Sequence, residues 1–159
     1  MARFIRRGVT KIRFSPALAD YKSTAGATRS EITSSINLTD SVAEITGWQL
    51  EGSTVPVPDM GSTFEKSIPG TDSASDSMLG FYEDDDTDVI ETLLPKGTEG
   101  FILLFRKGDK PASKSLDIFP VQVTSRAAAF SAGNDPARFD VRFSITDEPA
   151  LDRTIAAAV

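Results

Sequence analysis

Residues 77–105, SMLGFYEDDDTDVIETLLPKGTEGFILLF, contain the sharpest change of hydrophobic pattern in this chain. The apolar stretch at 78–82 is typical of a β-strand. The segment 101–105 is apolar at every position, which indicates a second strand that is covered on both faces. Between the two strands lie an acidic run and a stretch with helical periodicity. In a chain otherwise patterned for strands, this order of elements predicts a mainly β fold with one short helix.

The helix between these strands is predicted to cover about residues 87–94. Thr87 or Asp88 can cap its N-terminus, and Asp88 and Glu91 have the spacing of a capping box. Pro95 disfavours helical geometry in the residue before it and therefore ends the helix. Two helical turns are unstable alone, so the helix must pack on the sheet through one apolar stripe. The residues of that helix-to-sheet stripe are Val89, Ile90, Leu93 and Leu94.

The other strands are predicted from the alternation of apolar and polar residues. Residues 138–146, RFDVRFSIT, alternate most cleanly, with every second residue facing the core. Residues 70–77 are small and polar, and the chain after residue 147 is interpreted as a tail. Because the strands do not alternate with helices, we expect an antiparallel β-sandwich or a partly closed barrel with one flanking α-helix. Further extended segments are predicted at 9–14, 31–40, 42–50, 64–68 and 116–125.

The length of 159 residues suits a single domain over residues 1–159. A flexible N-terminal arm is expected at 1–8, and long loops are expected at 15–30 and 51–63, where Ser, Thr, Gly and Pro are frequent. Long loops in compact domains tend to be functional. Pro120 cannot donate a ladder hydrogen bond, so it predicts a sheet edge or a β-bulge.

The composition excludes several kinds of chemistry. The chain has neither cysteine nor histidine, which removes disulfides, thiolate nucleophiles, His–Cys zinc sites and the usual general base near neutral pH. No segment approaches the roughly 20 apolar residues of a membrane-spanning helix, and the N-terminus lacks the apolar run of a signal peptide. We therefore expect no enzymatic activity, no cofactor and no membrane association. The absence of disulfides favours folding in a reducing compartment.

The charge pattern places basic residues at one end of an acidic chain. A net charge of −6 argues against a sequence-independent DNA-binding protein, which needs a basic face to displace phosphate counterions. The basic N-terminus could bind nucleic acid or could pair with an acidic surface on a neighbouring copy. The net negative charge supplies such a surface and favours the second interpretation. The basic residues are Arg3, Arg6, Arg7, Lys11 and Arg13.

The acidic run at 83–88 resembles a calcium loop only in part. Asp84, Asp86 and Asp88 have the spacing of the first three ligands of an EF-hand. The sixth position is then Val89 where the loop needs glycine, and the twelfth is Pro95 where it needs glutamate. We expect no metal site, since carboxylates also gather at a helix N-terminus because the helix dipole favours them there.

Four parts of the chain, in order, carry a family resemblance. They are residues 3–14, 43–70, 76–105, and finally 117–125 with 135–146. None is a catalytic signature, so the resemblance depends on their order and joint presence. With these stretches the chain resembles the major tail (tail tube) proteins of bacteriophages with long, non-contractile tails, the siphophage type.

The resemblance implies a structural role in an assembly. Proteins of that family fold as a β-sandwich with a flanking helix, and six copies form a ring whose inner sheets join into a barrel. Stacked rings make the tube through which DNA passes non-specifically to the host. The implied partners are further copies of the chain and the tape-measure, baseplate and tail-terminator proteins. The implied location is the virion tail, after synthesis in the host bacterial cytoplasm.

The surfaces that such a role requires are expected at the arm and the loops. An acidic channel would repel DNA weakly, so a negative lumen is expected, with Asp140 as a candidate. Arg138 and Arg142 share its strand face, which would equally suit a subunit interface. The residues expected to make inter-subunit or inter-ring contacts are Arg3, Arg6, Arg7, Val55, Val57, Met60 and Pro120.

Three other functions remain open from the sequence. A tail terminator or a secretion-system tube-like protein would share the fold. A non-catalytic ligand-binding β-sandwich module, such as a carbohydrate binder, is the third. That class usually displays aromatic residues on one face, and this chain has one tryptophan and two tyrosines to supply them.

Overall fold

The computed structural model describes residues 2–157, so Met1, Ala158 and Val159 of the predicted single domain lie outside the described residues. All strand pairs within the described part are antiparallel, which confirms the predicted mainly β class. The strands are β1 Lys11–Ser15, β2 Ile36–Asn37, β3 Val42–Thr46, β4 Leu50–Val57, β5 Lys66–Ala74, β6 Ser77–Tyr82, β7 Glu99–Phe105, β8 Leu116–Ala129, β9 Arg138–Ile145 and β10 Ala150–Arg153. The helices are α1 Arg29–Ser34 and α2 Val89–Leu93, with a 3₁₀ turn at Thr39–Ser41.

One large sheet has the strand order β2-β1-β7-β8-β9-β6-β3, with β10 paired to β8. Its edge strands β2 and β3 are joined by residues 38–41 alone. The five peptide steps from Asn37 to Val42 reach at most about 18 Å. A flat sheet of seven strands would separate its edges by about 29 Å. The sheet therefore curls until its edges approach, but within residues 2–157 they do not pair, and the barrel is not closed.

The curled sheet has a buried core on each face. On β7, Ile102 and Leu104 belong to the inner core, while Leu103 and Phe105 belong to the outer core. The prediction that this strand is covered on both sides is confirmed. The inner core contains buried residues from β1, β6, β7, β8 and β9, as expected where a sheet folds over itself. The outer core is covered by α1, the preceding loop and the segment around β10.

Helix α1 was not expected, because residues 31–40 were predicted as a strand. Thr28 caps the helix: its side chain accepts from the Glu31 N–H, and the Glu31 carboxylate accepts from the Thr28 N–H at 3.1 Å. This capping box starts a helix that buries Ile32. Arg29 pairs with Asp109 at 2.8 Å and also donates to the Ala156 carbonyl, which ties the helix to the C-terminal segment.

The chain after residue 147 is not a tail, contrary to the prediction. Strand β10 pairs with the first part of β8, and Ala150 and Ile155 are buried in the outer core. Isolated apolar residues of this kind have no period that a sequence pattern can reveal.

The loop predicted at 51–63 is wrong for residues 51–57, and the polar connection predicted at 70–77 is wrong for residues 70–74 and 77. Residues 50–57 and 66–74 are the strands of a two-stranded hairpin. Pro56 and Pro69 lie opposite Ser67 and Thr54. Each strand of an isolated hairpin has a free side, where proline removes no ladder hydrogen bond.

Pro120 lies inside the sheet, so the predicted edge or bulge is wrong at this residue. It is buried on β8 and lies opposite Phe101 of β7. On its other side, β10 pairs with β8 up to Ile118 and β9 pairs from Val121 onward. On the side of β8 that faces away from β7, Pro120 therefore lies at the gap between the end of β10 pairing and the start of β9 pairing. No N–H donor is required from Pro120 at this gap.

Glu31 provides a pH-dependent test of this fold. Burial raises the pKa of the Glu31 carboxyl group. The backbone N–H groups of Thr28 and Ala19 donate to the carboxylate and lower its pKa, and the net result is a pKa below the ordinary value for glutamate. Its stabilisation is therefore full above the unfolded-state pKa of about 4.3 and is lost as pH falls through the lower folded-state pKa. Glu31→Ala is expected to lower the free energy of unfolding by about 1 kcal/mol at neutral pH. Urea titrations should show that difference shrinking below pH 4 or so, and a pH-independent difference would contradict it.

Candidate assembly surfaces

The β4–β5 hairpin extends away from the two cores. Within the described residues its strands pair only with each other, and positions 51–69 are exposed throughout. Val55 lies directly opposite Ile68, and Val57 lies opposite Lys66, so these side chains share one face. The two valines and Ile68 are between 42% and 53% exposed. A two-stranded hairpin is marginally stable alone, and this apolar face is not covered by the chain itself.

The tip of the hairpin presents two further apolar side chains. Met60 is fully exposed and Phe64 is 73% exposed. The turn between them is ordered by Asp59, whose carboxylate accepts from the Gly61 N–H at 2.9 Å and pairs with Lys66 at 2.9 Å. Phe64 and Ile68 lie at the two ends of the extended segment predicted at 64–68 but were not predicted as contact residues. Their exposure follows from the lack of a covering layer over the hairpin within residues 2–157.

Trp48 anchors the base of the hairpin to the inner core. Its indole N–H donates to the Met78 carbonyl at 3.3 Å, and its ring meets Phe119 edge-on with centroids 5.3 Å apart. The backbone turns into this position through Gly47, whose φ is +84°. A Cβ at Gly47 would lie 2.7 Å from the Asp76 carbonyl oxygen. Glycine is therefore required where the chain leaves β3 and enters the hairpin.

The N-terminal arm is exposed and irregular up to Gly8. Arg3, Arg6 and Arg7 all lie on the surface, and none forms a salt bridge within residues 2–157. Phe4 and Ile5 between them are 49% and 79% exposed. The arm thus presents unpaired positive charge together with uncovered apolar surface.

The arm borders a cleft of about 860 Å³ at the open seam of the sheet, which we call the mouth cleft. Trp48 and Leu104 contribute apolar walls, and Asp117 lies at its rim. Burial raises the pKa of Asp117, although its contact with Arg106 at 3.1 Å opposes this. Arg106 also pairs with Asp152. These carboxylates hold Arg106 in place, and the positive charge of Arg6 acts on Asp117 without forming a salt bridge.

The polar face of β9 carries compensated charge. Arg138 donates to Glu44 of β3 at 2.7 Å, and its guanidinium lies 3.8 Å from the carboxylate of Asp140. Arg142 is exposed on the same face. This set links β9 to the edge strand across β6. It contains as many positive as negative groups, so by itself it does not make the face acidic.

Helix α2 packs on the sheet through fewer residues than predicted. Leu94 is fully buried, and Ile90 and Leu93 are half-buried against the inner core. Val89 is 60% exposed, so its predicted packing role is wrong. The helix has only five residues, Val89–Leu93. Asp88 occupies the N-cap position without a side-chain cap bond, so the predicted capping box is absent there.

The acidic run lies beside the tip of the β8–β9 hairpin. The Glu83 N–H donates to the Ala137 carbonyl at 2.9 Å. Among the described residues, no three His, Cys, Asp or Glu side chains are grouped as a metal site would require. In the same part of the chain, no helix is both long enough and apolar enough to cross a membrane.

Comparison with solved structures finds this fold in contractile and phage-like tails. A sheath/tube terminator of an extracellular contractile injection system, PVC, is similar with a TM-score of 0.58 and 14% identity, over 94% of this chain and 96% of that one. A tail protein of an empty GTA particle is similar with a TM-score of 0.55 and 13% identity, over 94% of this chain and 98% of that one. The tube-terminating cap of the anti-feeding prophage AFP has a TM-score of 0.56 and 13% identity, over 96% of this chain and 90% of that one. At these identities the likeness establishes the fold.

The sequence itself places the chain in a family. No curated protein sequence matches it significantly. The family model described as "Phage tail tube protein" matches residues 1–158, almost the whole chain. This agrees with the resemblance seen in the sequence and with the tube and terminator folds above. The chain belongs to the phage tail tube protein family and is a structural component of a phage tail.

Proposed function

We propose that this protein is the repeating subunit of a phage tail tube, assembled as stacked rings of six in a long non-contractile tail. The observation that carries the proposal is the β4–β5 hairpin, whose apolar face is left uncovered by its own chain. A head-to-tail contact whose rotation closes makes a ring, and stacking adds a second interface. The similar GTA tail has C6 symmetry, which supports the ring number.

The assembled tube would serve as a passive conduit for DNA. The subunit carries a net charge of −6, so a lumen with net negative potential would repel phosphate and prevent adhesion. In this proposal the protein performs no catalysis. It is made in the host cytoplasm, resides in the virion tail, and contacts tape-measure, baseplate and terminator proteins.

A terminator is the second candidate, since two of the similar structures are a tube terminator and a terminating cap. A terminator closes a tube, whereas a tube subunit continues to add rings. Electron microscopy of the purified protein at high concentration separates the two. We expect stacked rings whose reconstruction has a negative lumen. Single rings that never stack would favour the terminator, and monomers at every concentration would refute both.

A further inference from the structure

A second cleft, of about 670 Å³, lies where the β8–β9 hairpin meets the end of β6; we call it the tip cleft. Tyr82 and Phe130 line it and are 45% and 95% exposed. Glu83 and Asp135 add negative charge to its lining. Arg138 is the basic residue of the lining, and its charge is already neutralised by Glu44 at 2.7 Å. The tip cleft therefore combines uncovered aromatic surface with negative potential.

The acidic run extends this potential outward from the cleft. It is fixed to the cleft wall by the backbone bond from Glu83 to Ala137. The carboxylates at 84, 85, 86 and 88 are exposed, and none of them forms a salt bridge within residues 2–157. The surface thus offers several unpaired negative charges beside two aromatic rings.

The N-terminal arm has the complementary chemistry. Residues 3–7, RFIRR, place an aromatic and an aliphatic side chain among three unpaired arginines. Aromatic faces bind guanidinium groups as well as apolar side chains, so Tyr82 and Phe130 suit both parts of the arm. Copies that each carry a charge of −6 repel one another, and a tube requires a contact that overcomes this repulsion.

We propose that the arm of one subunit, residues 3–7, binds in the tip cleft of a second copy, with its arginines on the acidic run at 83–88. This inference rests on the proposed function, because it identifies one subunit contact of the assembly. In the free subunit Arg6 and Arg7 line the mouth cleft, which shares Tyr82 with the tip cleft, so the arm of a second copy would compete with the chain's own arm for this side chain.

Introduced cysteines provide a direct test, because the chain has none of its own. Ile5→Cys marks the arm and Thr87→Cys marks the acidic run, and neither change alters a charge. Chains carrying one cysteine each are mixed at assembly concentration, oxidised and resolved on a non-reducing gel. We expect a cross-linked heterodimer whose yield is about tenfold above that of Ile5→Cys mixed with Thr33→Cys, an exposed control position whose replacement also alters no charge. The yield should fall as salt is raised.

Charge reversal tests the recognition itself. Changing Asp84, Asp85 and Asp86 to lysine in the Thr87→Cys chain should reduce the heterodimer to the control level. Changing Arg3, Arg6 and Arg7 to glutamate in the Ile5→Cys chain as well should restore it. A yield equal to the control, or one indifferent to both reversals, would overturn the proposal. So would a doubly labelled chain that closes within one molecule at high dilution, since the arm would then bind its own cleft.

The two proposals can fail separately. Stacked rings seen by microscopy without the cross-link would refute the arm contact and leave the tube function standing. A charge-dependent cross-link in a protein that never forms rings would support the contact and refute the tube.

Discussion

Changing Val55, Val57 and Ile68 together to threonine is expected to abolish tube formation and to leave the subunit folded. These side chains form the apolar face of a hairpin that contributes nothing to either core. Burying one valine or isoleucine side chain contributes about 1.5–3 kcal/mol, and the loss is repeated in every copy of the assembly. Threonine keeps the β-branched shape that the strands favour, so the hairpin itself should persist.

The opposite face of the same hairpin supplies the matched control. Thr54→Ser with Ser67→Thr changes the polar face and leaves the apolar one intact. Electron microscopy should show tubes from the control and none from the threonine variant, while circular dichroism and melting temperature stay near those of the wild type. Normal tubes from the threonine variant would show that the apolar face is not an assembly contact.

Trp48→Ala is expected to lower the free energy of unfolding by about 3–5 kcal/mol. The side chain is 8% exposed, packs on Phe119 and Phe143, and donates to the Met78 carbonyl. Its removal leaves a cavity in the inner core and takes away one donor to the Met78 carbonyl. For a domain of this size the melting temperature should fall by on the order of 10 °C.

Trp48→Phe separates the two contributions of the indole. Phenylalanine keeps most of the ring packing and removes only the donor to Met78. We expect a loss of about 1 kcal/mol for this variant in urea titrations. Equal stability of the alanine variant and the wild type would contradict the anchoring role of Trp48.

The fold class could be predicted because the inner core is built from regular alternation. Residues 139, 141 and 143 all face it from β9, and β7 supplies alternate residues to both cores. These patterns follow from the two-residue period of a strand, which no tertiary contact alters. The apolar stretch at 78–82 likewise placed β6, and the helical period of the following segment placed α2.

The errors occurred where tertiary context decides. The capping box of Thr28 and Glu31 lies across the boundary between the loop predicted at 15–30 and the strand predicted at 31–40. The prolines of the hairpin suggested a loop, although proline is restricted only in strands with partners on both sides. The exposure of Val89 depends on where a five-residue helix lies on the sheet, and its apolar stripe does not specify this.

The contact surfaces were predicted less completely than the fold. The arm arginines and Val55, Val57 and Met60 are exposed, as a contact role requires. Pro120 is buried and cannot offer its side chain to another copy. Tyr82 and Phe130 were not singled out, because an exposed aromatic residue becomes visible only when its neighbours in space are known.

The link at residues 38–41 sets a mechanical limit on the subunit. The chain between Asn37 and Val42 is short enough that pulling the edge strands apart would soon draw the backbone taut. Beyond that extension the load falls on covalent bonds and on the ladders of β1 with β2 and of β3 with β6. The separation of the two edges of the curled sheet therefore has a fixed upper limit, which is set by the length of the link rather than by the strength of side-chain packing.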